Sequence, residues 1–216
     1  MKTACLVLFI SLFNSVVAAE VEQKKPIPED LAYITAVIPV FSQKVSISLP
    51  TNWKAVYEDQ QQGSYIIEFI PKEENIDNWK NLFTVQGFEN IADKTTPIDF
   101  LNSIAFRLKQ VCGDYASFEK LGPMNITGHN AFAVVMGCSR MPVTNETSGE
   151  NYQSELGYYL SIQGKQDYYL VHKLVRGDVF DPKDAPINKD NAAAFLSEFM
   201  PIELCQGGGE DYECKR

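Results

Sequence analysis

The stretch of residues 156–174, LGYYLSIQGKQDYYLVHKL, decides the fold class. Apolar or aromatic residues alternate with other residues over 156–162, and the alternation resumes from Tyr168 onward. A period of two is typical of a β-strand with one buried face. Gly164-Lys165 lies between the two halves, and a glycine at the first turn position suits a two-residue type II′ hairpin. Because strands joined by a tight hairpin run antiparallel, the stretch predicts an antiparallel sheet.

Five other segments carry strand signals, either strict alternation or a wealth of β-branched and aromatic residues. They are residues 44–49, 65–70, 82–88, 124–127 and 131–136. Pro50 ends the first of them, and Trp53 is expected in the turn that follows. Gly128-His129-Asn130 separates the last two, and glycine and asparagine tolerate the positive φ angles of a hairpin. The polar stretches 71–79 and 142–153 are predicted as loops, the former with a short helical turn.

Two helices complete the pattern. Thr96 can cap the first helix and Pro97 can occupy its first turn. Its apolar stripe consists of Leu101, Ile104, Leu108 and Val111. The second helix is expected to be capped by Asn188 or Asp190 and ended by Pro201, with an apolar stripe of Ala192, Phe195, Leu196 and Phe199. Each helix has a single apolar face, so the sequence predicts an α+β fold in which the helices cover the antiparallel sheet.

The first nineteen residues have the layout of a secretory signal peptide. Lys2 precedes an almost wholly apolar stretch, and Val17-Ala18-Ala19 provides the small residues read by a signal peptidase. The apolar stretch is too short to span a bilayer. We therefore expect cleavage before Glu20 and a periplasmic or extracellular location.

The exported chain has the length of one domain. We expect an extended or mobile lead-in over residues 20–42, a single α+β domain over 43–204 and a short tail over 205–216. The formal net charge of −9 repels phosphate backbones and anionic membranes, which argues against nucleic-acid binding. The mature chain has no segment with the length of a membrane anchor. We expect a monomer.

Four cysteines remain after removal of the signal peptide. They are Cys112, Cys138, Cys205 and Cys214. An even number in an exported chain predicts two disulfides, and of the three possible pairings we favour Cys112–Cys138 with Cys205–Cys214. The second pair would close a short loop whose glycines allow a sharp turn. The alternative is a zinc site, but the spacing lacks a C-x-x-C pair and no histidine is close in sequence.

Several short segments resemble the Mog1/PsbP-like proteins. They are Leu49–Trp53, Phe69–Lys72 with Trp79, the Gly128 hairpin and the terminal amphipathic helix. The resemblance covers residues 43–203 and implies an α/β/α sandwich around an antiparallel sheet. Members of this fold bind partner proteins, such as a small GTPase or photosystem subunits, and share no catalytic centre that could be assigned to residues here. The chain is also similar to exported members from intracellular Gram-negative pathogens, one of which is a type II secretion substrate. The two cysteine pairs point to a specialised exported branch.

The sequence offers little material for catalysis or for binding a metal. The chain has only two histidines. His129 is expected in a solvated hairpin turn, and His172 is expected as a hydrogen-bonded sheet residue rather than a general base. Neither H-E-x-x-H, a calcium loop, a P-loop nor a G-x-S-x-G elbow is present. The sequence therefore predicts no catalytic residue, no metal site and no cofactor.

Aromatic residues are the better candidates for function. Trp53 and Trp79 are candidate partner-binding residues, because an indole in or beside a loop can anchor a protein or a glycan. The alternative is that each indole packs over one end of the sheet. Residues 142–153 are a second candidate contact surface.

We therefore expect a secreted or periplasmic, non-enzymatic binding protein, which the resemblance extends to a virulence-associated type II secreted factor. The alternative is a small exported hydrolase or ligand carrier with an unrecognised site. A pocket with converging polar groups would favour the alternative, whereas a shallow exposed aromatic patch would favour binding.

Overall fold

Ten strands and two helices occur in the residues that this computed structural model describes, 32–143 and 151–206. The strands are β1 (Tyr33–Val40), β2 (Gln43–Pro50), β3 (Trp53–Gln61), β4 (Ser64–Pro71), β5 (Asn81–Phe88), β6 (Ala116–Ile126), β7 (His129–Pro142), β8 (Tyr152–Gln163), β9 (Tyr168–Gly177) and β10 (Glu203–Gln206). The helices are α1 (Pro97–Cys112) and α2 (Ala192–Leu196). All strand pairs are antiparallel, which confirms the predicted α+β class.

The main sheet has seven strands in the order β3-β4-β5-β9-β8-β7-β6, and each of its faces is covered differently. Helix α1 packs on one face, chiefly over β7 and β8. The other face packs against α2 and a second, three-stranded sheet in the order β1-β2-β10. The largest apolar core lies between the two sheets. The layer opposite α1 therefore consists largely of strands. The predicted sandwich has a helix in this layer, and α2 is that helix.

Helix α1 begins as the sequence predicts. Thr96 is the N-cap, and its hydroxyl accepts a hydrogen bond from the backbone N–H of Asp99 at 3.3 Å. Leu101 is fully buried against the sheet. The hydroxyl of Ser161 donates to the carbonyl of Pro97 at 2.8 Å, which ties the start of the helix to β8.

Three strands were not predicted, namely β1, β3 and β10. Strand β1 lies in the segment expected as a lead-in, and β10 crosses the expected boundary between residues 204 and 205. Both pair with β2, Val40 of β1 belongs to the main core and β10 continues to Gln206, so packed residues occur on both sides of the range 43–204. Residue Trp53 begins β3 instead of lying in a turn. Strands β1, β3 and β10 each end a sheet, where polar residues and a proline such as Pro39 weaken the sequence pattern.

Two turns and one helix cap also differ from the prediction. The loop between β8 and β9 has four residues, 164–167, and the backbone N–H of Gly164 donates to the carbonyl of Asp167 at 3.1 Å. The longer loop lets the buried Asp167 carboxylate accept hydrogen bonds from the backbone N–H groups of Ser42 and Asn90. The β6–β7 hairpin turns at Thr127-Gly128, where both φ angles are positive. Helix α2 has Asn191 as its N-cap, not Asn188 or Asp190.

The predicted Cys112–Cys138 disulfide is present and joins the end of α1 to β7, with a Cα–Cα distance of 5.7 Å. Residue Cys205 is disulfide-bonded, but Cys214 lies outside the described residues, so the Cys205–Cys214 pairing stays a prediction. The expected signal peptide, residues 20–31 and residues 207–216 also lie outside them. Among the described helices, none has the length and apolarity needed to cross a membrane.

Candidate functional site

Both tryptophans proposed as partner-binding residues are buried. The ring of Trp53 meets Phe199 edge to face at 4.9 Å in the main core. The ring of Trp79 lies in a separate small core with Ile70 and is covered by the Arg176 guanidinium at 3.7 Å. The two indoles therefore pack over the sheet, as the alternative interpretation expects, and the structure does not bring them together on one exposed surface.

His129 takes part in a hydrogen-bond network rather than being solvated in a turn. Its Nδ1 lies 3.2 Å from the carbonyl of Gln163, and its Nε2 lies 3.3 Å from Nε2 of Gln43. In these contacts Nδ1 can donate to the Gln163 carbonyl and Nε2 can accept from the Gln43 amide. Because Gln43 Oε1 also accepts from the backbone N–H of Lys165, the network links the two sheets. His129 therefore has a structural role.

His172 lies in a row of polar side chains on the α1 face of the main sheet. The register places it opposite Thr84 of β5 and Tyr159 of β8, and Thr84 lies opposite Glu68 of β4. The His172 and Tyr159 rings are 5.0 Å apart. Within the described chain, neither His172 Nδ1 nor Thr84 Oγ1 has a hydrogen-bond partner. The expectation that His172 is hydrogen-bonded is therefore wrong for its Nδ1 atom.

Burial controls the charge of this row. Desolvation lowers the pKa of His172 to about 4, so its ring is neutral at neutral pH. Desolvation also raises the pKa of Glu68 and the pKa of Tyr159. Perturbed pKa values occur at catalytic sites, but they also follow from burial alone, and the Thr84 hydroxyl opposite His172 has no base hydrogen-bonded to it. The row thus lacks the geometry of an activated nucleophile.

We predict that acid destabilises the protein through His172. Below pH 6.5 the unfolded chain binds a proton that the folded chain does not bind until about pH 4. Stability should therefore fall as the pH drops through this window, by about 3 kcal/mol for this group alone. Urea unfolding of wild type and of His172→Gln at a series of pH values measures the effect.

The His172→Gln variant should show a clearly shallower loss of stability between neutral pH and pH 4. Thr84→Val is the matched control, because it changes a neighbour in the same row and keeps the titrating ring. It should keep the wild-type pH dependence. Equal slopes for wild type and His172→Gln would contradict the prediction.

Lys173 is a buried cation on the other face of β9. Its ammonium group contacts the Glu198 carboxylate and donates to the carbonyl of Phe195 at 2.9 Å. It also lies 4.4 Å from the centre of the Phe195 ring. These contacts compensate the buried charge and hold the α2 region against the sheet, which is a structural role.

An exposed tyrosine–arginine platform lies at the disulfide end of α1. We define it as Tyr115, Arg140 and Tyr152. The Arg140 guanidinium carbon is 3.9 Å from the centre of the Tyr152 ring and 5.8 Å from that of Tyr115. Tyr152 is 43% exposed and Tyr115 is 47% exposed, and Val111 next to Cys112 is 85% exposed. The platform is therefore a shallow aromatic patch at the protein surface.

Three local features build the platform. The disulfide fixes Cys112 against Cys138, so the helical turn that carries Tyr115 stays close to β7. The register of β7 and β8 shifts between Cys138 and Met141, which is where Arg140 lies. A bulge of this kind re-aims a side chain out of the regular sheet alternation. Tyr152 begins β8 opposite the last residue of β7, which brings its ring to Arg140.

A groove of about 650 Å³ lies between β6 and residues 182–188. Its polar lining residues include Ser117, Glu119, Lys183, Asp184 and Asn188. Two of these already serve the fold, because the Ser117 hydroxyl donates to the carbonyl of Pro182 and Glu119 accepts from the backbone N–H of Lys189. Over residues 32–143 and 151–206, no group of three or more histidine, cysteine or acidic side chains could hold a metal ion.

Sequence reasoning missed the platform as a unit. Residues 142–153 were expected as a contact surface, and Tyr152 falls within them, while 144–150 lie outside the described residues. Tyr115 follows the cysteine at the end of α1, and Arg140 follows its disulfide partner by two positions. A correct pairing of the two cysteines places the residues that follow them close together, so the pairing could have predicted that Tyr115 and Arg140 are neighbours.

Comparisons with known proteins gave distant structural likenesses. No family model matches the chain, and no curated protein matches it. Solved structures similar to it include a protein from Bacteroides thetaiotaomicron, with a TM-score of 0.36 and 14% identity over 77% of this chain and 46% of that one. This chain thus spans less than half of that protein. Another is cyanobacterial PsbP from Synechocystis, with a TM-score of 0.41 and 12% identity over 76% of this chain and 91% of that one. A third is a protein of unknown function from Pseudomonas aeruginosa, with a TM-score of 0.31 and 13% identity over 76% of this chain and 92% of that one.

Proposed function

We propose that this protein is an exported, disulfide-stabilised binding protein that contacts another protein through the tyrosine–arginine platform. The observation that carries the proposal is the exposure of Tyr115 and Tyr152 around an arginine that forms no ion pair within the described chain. Export rests on the signal-peptide pattern, and a role as a released, type II secreted factor rests on the sequence resemblance. The proposed location is the periplasm or the extracellular medium.

The composition and the support of the platform favour binding. Tyrosine and arginine are enriched among the residues that contribute most to protein interfaces. Large rigid rings provide contact area at a low cost in conformational entropy. The disulfide beside Tyr115 keeps this surface ordered before a partner arrives, which lowers the entropic cost of association.

The proposal predicts a specific loss of partner capture. Oxidised wild-type protein, starting at residue 20, is used to capture proteins from envelope and host-cell extracts, next to the double variant Tyr115→Ala/Tyr152→Ala. A true partner should bind the double variant about tenfold more weakly, because each truncation removes a large contact. Calorimetry with the purified partner measures this loss.

Tyr57→Ala is the control for that experiment. Tyr57 is also half exposed, but it lies on β3 at the opposite edge of the main sheet. It should bind the partner like wild type. A partner that binds all three proteins equally would show that the platform is not the contact surface.

The groove beside β6 favours the second candidate function, a carrier of a small polar ligand. Its lining combines acidic, amide and ammonium groups around a concave space of suitable volume. Ligand screening by thermal shift on wild type and Lys183→Ala tests this candidate. A ligand that stabilises wild type but not Lys183→Ala would support the carrier, and no stabilisation by any ligand would exclude it.

A further inference from the structure

The orientation of Arg140 indicates the chemistry of the partner. We infer that Arg140 anchors a carboxylate, from an aspartate or glutamate side chain of the protein that binds the platform. The inference rests on the proposed function and specifies the contact at its centre.

The Arg140 guanidinium lies over the Tyr152 ring, and its N–H groups have no acceptor among the described residues. The Tyr152 ring lies against it at 3.9 Å, and Tyr115 lies at 5.8 Å on the same group. Stacking of this kind uses the face of the planar group and leaves the five N–H donors pointing outward in the plane. Throughout the described ranges, the Arg140 side chain makes no hydrogen bond and no ion pair.

Arg176 shows in the same molecule what completes such an arrangement. Its guanidinium stacks on the Trp79 ring at 3.7 Å, and its Nε donates to the Glu155 carboxylate at 3.0 Å. Both the face and the edge of Arg176 therefore have partners. Among the described residues, Arg140 has the aromatic half of this arrangement without the carboxylate half, and a partner with an acidic side chain would provide it.

The charge of the chain indicates a single carboxylate rather than a polyanionic surface. The formal net charge is −9, so a lipid membrane or a nucleic acid would be repelled as a whole. The lysine of α1, Lys109, is already paired with Asp114 at 3.4 Å. One arginine beside two exposed tyrosine rings fits one acidic side chain within an otherwise aromatic contact.

Peptide selection tests this inference without a known partner. A random linear peptide library is selected on oxidised wild-type protein, and the enriched peptides are synthesised with each acidic residue either kept or replaced by its amide. We expect the enriched peptides to share an aspartate or glutamate next to apolar residues. Replacing that residue by its amide should weaken binding about tenfold, in line with loss of one charge-assisted pair.

Protein variants then assign the effect to Arg140. Arg140→Gln should weaken binding of the acidic peptide about as much as amidation does, and it should add little to the amidated peptide, because both changes remove the same pair. Arg107→Gln removes the same charge from the exposed side of α1 and should leave binding unchanged. Thermal unfolding should show the same midpoint for both variants.

The possible outcomes separate this inference from the proposed function. If the enriched peptides carry no shared acidic residue, or if Arg140→Gln and Arg107→Gln behave alike, the carboxylate inference is wrong. If binding then still depends on Tyr115 and Tyr152, the platform remains the contact surface. If binding depends on none of these residues, both the inference and the proposed function are wrong.

Discussion

Phe199→Ala is expected to lower the free energy of unfolding by about 4 kcal/mol, as large-to-small changes of a buried aromatic do. The Phe199 ring is fully buried and stacks on Phe83 with ring centres 3.9 Å apart and planes 9° apart. It also receives the edge of Trp53 at 4.9 Å. Because these contacts join the segment after α2 to the main sheet, alanine would leave a cavity between the layers that the surrounding rings cannot close.

Urea denaturation with tryptophan fluorescence measures this change, and the Trp53 contact makes fluorescence a direct reporter of this site. Phe106→Ala is the matched control, because Phe106 on α1 is 65% exposed and loses few contacts. Its free energy of unfolding should stay close to that of wild type. A loss of less than about 1 kcal/mol for Phe199→Ala would mean that the core between the layers is not packed as described.

Removal of the Cys112–Cys138 disulfide should be the second largest effect. The bond closes a loop between residues 26 positions apart, and loop-closure entropy for this length corresponds to about 3.5 kcal/mol. The double variant Cys112→Ala/Cys138→Ala removes the bond without leaving a free thiol. Its thermal midpoint and its free energy of unfolding, measured under oxidising conditions, should both fall clearly.

A reductant provides the control for the disulfide prediction. Both proteins contain Cys205, so reduction affects its bond in wild type and double variant alike. The difference in stability between the two proteins should be large without reductant and small with it. An equal difference under both conditions would assign the loss to packing of the cysteine side chains rather than to the bond. The double variant should also bind platform partners more weakly, since α1 is no longer fixed beside Arg140.

Local signals were sufficient for the central part of the fold. The alternation over residues 156–174 predicts β8 and β9, and the Thr96-Pro97 start predicts the first residue of α1. These elements carry their information within a few residues, as strand alternation and helix capping do. The Cys112–Cys138 pair was also predictable, because each cysteine ends or lies in an element with a clear signal.

Edge strands and turns escaped prediction for a different reason. Strands β1 and β10 are held by pairing with β2, and nothing within their own sequence demands that pairing. The loop of residues 164–167 is longer than a tight hairpin because the Asp167 carboxylate accepts hydrogen bonds from the backbone N–H groups of Ser42 and Asn90, which are distant in sequence. Such contacts can be recognised only once the chain has folded.

The sequence by itself determined the antiparallel α+β class, the start of α1 and one disulfide, because each depends on residue type and short spacing. Tertiary structure decided which polar and aromatic residues are available for function. It buried Trp53, Trp79 and His172 and left Tyr115, Arg140 and Tyr152 at the surface. The physical reason is that exposure and stacking depend on which elements pack together, and residues 115, 140 and 152 meet only through the disulfide and the β7–β8 register.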